Sequence, residues 1–160
     1  MKESAAAGKT DSITREELVK LLNEDLCREY QAIISYVVYS QALKGAEYMN
    51  IAGELVKHAG QELQHALTVS NLVDYMGGMP ATTPTQVRTS PRAKDMLQFD
   101  LESEQETIRN YRERVRQCEQ LGEFAAAEQI REILVDEQDH LVALATALGR
   151  DVPVIKSPRR

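Results

Sequence analysis

Apolar residues recur along four stretches of the chain at alternating steps of four and three, the spacing that lines one face of an α-helix. The stripes are Leu18, Leu22, Leu26, Ile33, Tyr36; then Ile51, Leu55, Val69, Leu72, Met76; then Leu97, Leu101, Ile108, Tyr111, Val115; then Ile130, Ile133, Leu144, Leu148. Polar residues interrupt every stripe near its middle: Glu29; His58, Glu62 and His65; Glu104; Glu137 and His140. Thr14 with Glu17 three positions later has the pattern of a capping box, and Ile13 and Leu18 stand where a hydrophobic staple would close over it. The first helix is therefore predicted from Thr14 to about Leu43, before a break at Gly45, and the second from about Ala46 to Met76, before Gly77-Gly78. Ser90 followed by Pro91 reads as an N-cap and a first helical residue, starting a third helix that runs to about Leu121. A fourth covers about Glu123 to Leu148 and stops at Gly149.

Four such stripes predict an all-α antiparallel four-helix bundle over residues 14–149. Residues 1–13 are small and polar, an N-terminal tail expected to be disordered, and residues 150–160, with two prolines, form a C-terminal tail unable to build another helix of any length. The Pro- and Thr-rich connection 77–89 spans at most about 43–47 Å when extended. A 30-residue helix is about 45 Å long, so this connection can cross the bundle lengthwise and set helices two and three parallel.

The interruptions fall into register. Residues level with one another in a helical hairpin are symmetric about its turn. The midpoint of Glu29 and Glu62 falls at Gly45, and that of Glu104 and Glu137 just before Gly122; both pairs are 33 residues apart. The second helix of each hairpin adds a histidine three residues after its glutamate, Glu62–His65 and Glu137–His140, on one helical face within reach of a common ion. Glutamate is rarely buried unless paired or bound to metal. Two divalent cations would balance four carboxylates with neutral imidazoles, whereas an empty site would force some carboxylates to take up protons. Glu29, Glu62, His65, Glu104, Glu137 and His140 are thus the candidate ligands of a dinuclear metal centre. Tyr36 and Tyr111 each lie seven residues after a stripe glutamate; Tyr111 reads either as a core aromatic with its hydroxyl satisfied or as part of the site. His58, one turn before Glu62, reads as an extra metal or entry-path ligand or as a hydrogen-bonded core or surface histidine.

Composition narrows the rest. A length of 160 residues fits one domain, and 25 acidic against 19 basic residues, a net charge of −6, argue against nucleic acid as a partner. Cys27 and Cys118 are too few for a disulfide framework and read as small apolar side chains. The N-terminus lacks the apolar core of a signal peptide and no run approaches a membrane span, so a cytoplasmic protein is expected.

Through Asn23-Glu24-Asp25-Leu26 leading to Glu29 and Tyr36, Glu62-Leu63-Gln64-His65, Leu101-Glu102-Ser103-Glu104 and Asp136-Glu137-Gln138-Asp139-His140, the chain resembles the ferritin-like superfamily and, within it, the bacterioferritins. That resemblance implies a ferritin-like four-helix bundle with a long crossover between helices 2 and 3, and a di-iron ferroxidase centre of the six residues above in which Glu62 and Glu137 bridge. It gives Tyr36 the place of a tyrosine that can supply an electron during oxygen reduction. It implies Fe(II) and O2 or H2O2 as substrates, two iron ions with manganese or zinc as possible substitutes, a role in iron storage or detoxification, and a homo-oligomer of at least two chains. Leu63 stands where bacterioferritins carry a haem-binding methionine, so no haem is expected; they also carry a short fifth helix that helps build a 24-subunit storage shell, and residues 150–160 are not expected to form it, so that shell is not implied. Two other readings use the same residues: a di-iron or di-manganese oxidase or peroxidase acting on another substrate, or a structural or cargo bundle.

Overall fold

The computed structural model describes residues 12–156; residues 1–11 of the tail expected to be disordered, and residues 157–160, lie outside them. Four long helices make up most of the described residues: α1 (Arg15–Ala42), α2 (Met49–Tyr75), α3 (Ala93–Gln120) and α4 (Phe124–Ala147), with one 3-10 turn, Ala46–Tyr48, before α2. Among the described residues there is no strand.

Helix α1 starts where its capping box predicts. The Thr14 hydroxyl accepts the Glu17 N–H at 3.1 Å while the Glu17 carboxylate accepts the Thr14 N–H at 2.8 Å, which satisfies two of the donors that a helix start leaves free. Ile13 packs against the core cluster that contains Leu18. Gly45, at φ +120°, ends the first hairpin arm. Gly122, at φ +75°, ends α3 in the left-handed conformation that costs glycine least. There the Glu123 N–H reaches back to the Cys118 carbonyl at 2.8 Å.

The start of α3 differs from expectation. It begins at Ala93, two residues after Pro91, and Ser90 is not its cap. The Ser90 hydroxyl instead accepts the Arg92 N–H at 3.2 Å and donates to Asp95 at 2.6 Å, holding a turn outside the helix with Arg92 extended.

Side-chain pairs fix the topology. Asp25 with Arg114, Glu29 with Tyr111 and Tyr36 with Glu104 run in opposite chain directions, so α1 and α3 are antiparallel. His65 with Asp136 and Gln61 with His140 make α2 and α4 antiparallel as well. The connection climbs along α1: Asn23 holds Met79 and Ala81, the Cys27 carbonyl accepts the Thr85 N–H at 2.9 Å, Gln31 donates to Gln86, and Tyr39 donates to Arg88. It therefore spans the bundle lengthwise, and α2 and α3 run parallel.

Two apolar clusters fill the interior. One contains Leu18, Leu22, Leu26, Val69, Leu72 and Ile130, and the other Leu55, Leu97, Leu101, Ile108, Leu141 and Leu144. Each fully buried leucine or isoleucine contributes about 1.5–3 kcal/mol. The polar residues that interrupt the stripes form the layer between the clusters. Residues 150–156 are not helical; Ile155 packs on the second cluster, and its carbonyl accepts a hydrogen bond from Arg112 at 2.8 Å.

Candidate metal centre

All six residues picked out by the broken stripes meet in that layer, each at most 4% exposed. They form two overlapping groups, Glu29–Glu62–His65–Glu137 and Glu62–Glu104–Glu137–His140, within each of which one donor atom per residue lies within 4.8 Å of the others. Glu62 and Glu137 belong to both groups, the arrangement of two positions that share two carboxylates.

The imidazoles show which atoms face inward. His65 Nδ1 lies 3.0 Å from Glu62, 3.2 Å from Glu137 and 3.7 Å from Glu29. His140 Nδ1 lies 2.9 Å from Glu62, 3.5 Å from Glu137 and 3.7 Å from Glu104. Their outer nitrogens donate elsewhere: His65 Nε2 to Asp136 at 3.0 Å, and His140 Nε2 to the Gln61 side-chain oxygen at 3.0 Å. With the hydrogen on Nε2, a neutral imidazole turns the Nδ1 lone pair toward carboxylate oxygens, and that contact is repulsive unless a positive charge sits there. With the imidazoles neutral in that form, five inward atoms have no hydrogen-bond partner: Glu29 Oε2, Glu62 Oε1, Glu104 Oε2, Glu137 Oε1 and His140 Nδ1. Buried polar atoms left unpaired cost about 1–3 kcal/mol each, more when charged. A pair of cations satisfies all of them together, so the donor set fits two metal ions with mixed carboxylate and imidazole ligation.

Without metal, protons carry that charge. Burial, then the charge of Glu62, holds Glu29 well above the usual carboxylate range. Burial, then the charge of Glu137, pushes Glu104 up to about 8. Burial would raise Glu62 too, but the adjacent imidazoles of His140 and His65 pull it lower. Burial opposes the charged form of both histidines, yet the carboxylates around them prevail: His140 rises to about 12, and His65 is raised as well.

Both tyrosines belong to the layer. Tyr36 on α1 donates to Glu104 on α3, and Tyr111 on α3 donates to Glu29 on α1. The Tyr111 hydroxyl is thus satisfied, and its partner is a candidate ligand. His58 is buried and joins neither group. Its ring stacks on His140 at 4.0 Å, its Nδ1 has no partner, and burial followed by the nearby His140 lowers it to about 4.

Sequence reasoning missed the surrounding shell. Asp25, one turn before Glu29, pairs with the buried Arg114 at 2.7 Å. Asp100, one turn before Glu104, is buried with one oxygen unpartnered. A small cavity between α1 and α3, lined in part by Ser35, Tyr36, Asp100 and Glu104, adjoins the carboxylates. The signal for both aspartates was their place on the stripe face, four residues before a stripe glutamate in each half.

A model of the Ferritin-like domain family matches residues 19–151. A bacterioferritin of Brucella melitensis is 26% identical over 133 residues, covering 82% of this chain and 83% of its own length. A bacterioferritin of Desulfovibrio desulfuricans is 25% identical over 126 residues, with 78% and 70% covered. A ferritin-like diiron-carboxylate protein of Bacillus anthracis superposes with a TM-score of 0.80 at 30% identity, over 84% of this chain and 96% of that one. A dodecameric thioferritin of Bacteroides fragilis shares the fold with a TM-score of 0.79 at 22% identity, over 86% and 88%.

Proposed function

The chain belongs to the ferritin-like domain family, and from that premise we propose that it is a ferroxidase, in which two Fe(II) ions are substrates held by Glu29, Glu62, His65, Glu104, Glu137 and His140. The observation that carries this reading is the set of five unpartnered inward donor atoms shared between two overlapping groups. A bundle stabilised only by packing has no use for such a layer. The kinship with bacterioferritins and with a diiron-carboxylate protein supports iron over manganese or zinc.

Fe(II) gives up one electron per ion to O2 or H2O2, and the protein's residues prepare that step. Glu62 and Glu137 would hold both ions, Glu29 and Glu104 would each hold one of them, and the imidazoles would keep each ion bound in both oxidation states. Hydroxyl donors from Tyr36 and Tyr111 fix the orientation of Glu104 and Glu29. We also assign to Tyr36, whose ring centre lies 5.9 Å from that of His140, the role of an electron donor to the oxidant. Two apolar clusters flank this layer on either side.

The protein works as a homo-oligomer in the cytoplasm, in iron detoxification or storage. Leu63 offers no sulfur ligand, so no haem takes part. No helix among the described residues is long and apolar enough to cross a membrane.

Mixing Fe(II) with O2 and following ferric absorbance tests the reading. Glu29→Ala and Glu137→Ala should each slow the first turnover by roughly a hundredfold, a loss on the order of 3 kcal/mol. Tyr36→Phe should keep two metals per chain but lose any tyrosyl signal after oxidation. Wild-type rates in both alanine variants would refute the assignment. Fast peroxide turnover with an organic reductant, with slow iron oxidation, would move the activity to the oxidase or peroxidase alternative.

A further inference from the structure

The two halves of the centre correspond residue by residue at an offset of 75: Glu29 with Glu104, Tyr36 with Tyr111, Glu62 with Glu137, and His65 with His140. The same offset relates Gln61 to Asp136. These two residues hold the outer nitrogens of the histidines, crosswise between α2 and α4: Asp136 accepts from His65 and Gln61 from His140, each at 3.0 Å. Ligand types, bridging carboxylates and tyrosine donors are therefore matched between the halves, and the acceptor behind the histidine is not. One is a carboxylate and the other a neutral amide.

We propose that this difference makes the two metal positions unequal by construction, with Asp136 making the Glu29–His65 position the tighter one and Gln61 leaving the Glu104–His140 position the weaker, exchangeable one. The proposal rests on the dinuclear reading above. A carboxylate accepting the outer N–H leaves more electron density on the inward nitrogen and raises its basicity as a ligand. An amide oxygen orients the ring equally well but carries no charge. Such partners are worth 10–100-fold in metal affinity.

The other differences between the halves make no hydrogen bond to the ligating histidines. Asp25 and Arg114 bond each other and not a ligand, and Asp100 bonds none. His58 meets the face of the His140 ring, not its outer nitrogen. The Asp136 side chain is 39% exposed, so solvent screens its long-range field and the direct hydrogen bond carries the effect.

Zn(II) titration of the full metal-free chain by calorimetry, with crystals at one equivalent of Zn(II), tests this without iron chemistry. The wild type should bind two Zn(II) in steps at least about tenfold apart, and the single equivalent should sit between Glu29 and His65. Asp136→Asn should weaken the tight step by about 10–100-fold and spare the other, and Gln61→Glu should strengthen the weak step. In the double variant the single equivalent should move to the Glu104–His140 position. That reversal is a result which a merely structural role for Asp136 would not produce. Equal steps in the wild type, evenly divided occupancy, or equal weakening of both steps in Asp136→Asn would overturn the inequality and leave the dinuclear centre standing. No Zn(II) at any of the six residues would overturn the centre itself.

Discussion

A buried carboxylate is tolerated only when something cancels its charge, and here the cancelling charge changes with conditions. Glu104, pushed up to about 8, and His140, at about 12, both hold protons at neutral pH in the metal-free chain. Metal binding must expel those protons. Zn(II) binding measured at about pH 7 in two buffers of different ionisation enthalpy should show net proton release, and affinity should rise as pH climbs toward about 8. Stability of the metal-free chain follows the opposite course. A carboxyl raised on folding contributes stability that is full below its unfolded value of about 4.3 and is lost as pH rises through its folded value. For Glu104 that loss falls between about pH 4.3 and 8. Glu29 shifts in the same direction and Glu62 in the opposite one. The contribution of His140 is full below its ordinary value of about 6.5 and is lost progressively as pH rises from there toward about 12. The melting temperature of metal-free protein should therefore fall between about pH 5 and pH 8, and saturation with Zn(II) should abolish the fall. A flat profile without metal would contradict the protonated site.

The six candidate ligands were legible at this scale because burial of charge breaks a periodic stripe, and the break shows in the sequence. Asp136 and Gln61 were not, since each serves a histidine on the opposite helix and local spacing cannot reveal a crosswise contact. Arg114 was hidden for the same reason: it lies among the polar residues of α3 and acquires its role only where α1 packs against it.

Among elements, the hairpins carried most of the legible information. Mirror symmetry about Gly45 and Gly122 requires only helical rise and a short turn, so it survives any detail of packing. The start of α3 was misread because Ser90 has two uses for its hydroxyl and Asp95 competes for it; propensity names the cap and tertiary context chooses it. The α1–α3 contact depends on one buried ion pair. Replacing Arg114 by Met strands Asp25, which burial already pushes up to about 6 against the pull of Arg114. That variant should lose about 3–5 kcal/mol in urea unfolding, and adding Asp25→Asn should restore part of it. A loss below about 1 kcal/mol would show that water reaches the pair. Thr14→Ala, which removes one side of the α1 cap, should cost about 1 kcal/mol in the same assay.

The whole molecule leaves apolar side chains uncovered on α1 and α2. Ile34, Val37 and Val38 lie together on α1, and Val56, Leu63 and Leu67 recur on one face of α2, between 38% and 57% exposed. Exposed apolar surface of this kind marks association. Native mass measurement should find an assembly of at least two chains, and Val37→Glu with Leu63→Glu should reduce it to monomers that keep the helical spectrum. A wild-type monomer would contradict this, as would a variant that stays assembled. The crossover was legible from length alone, because 13 residues barely span the bundle. Its anchoring along α1 by Asn23, Cys27 and Gln31 was not, since those contacts involve backbone groups that carry no sequence signature.

The central claim is that this layer holds two metal ions, and anomalous diffraction at the iron edge from crystals loaded anaerobically with Fe(II) tests it most directly. Two peaks should appear in each chain, one among Glu29, Glu62, His65 and Glu137 and the other among Glu62, Glu104, Glu137 and His140, and both should vanish in Glu62→Ala with Glu137→Ala. Loaded crystals with no peak in this layer, or with iron only elsewhere on the chain, would contradict it.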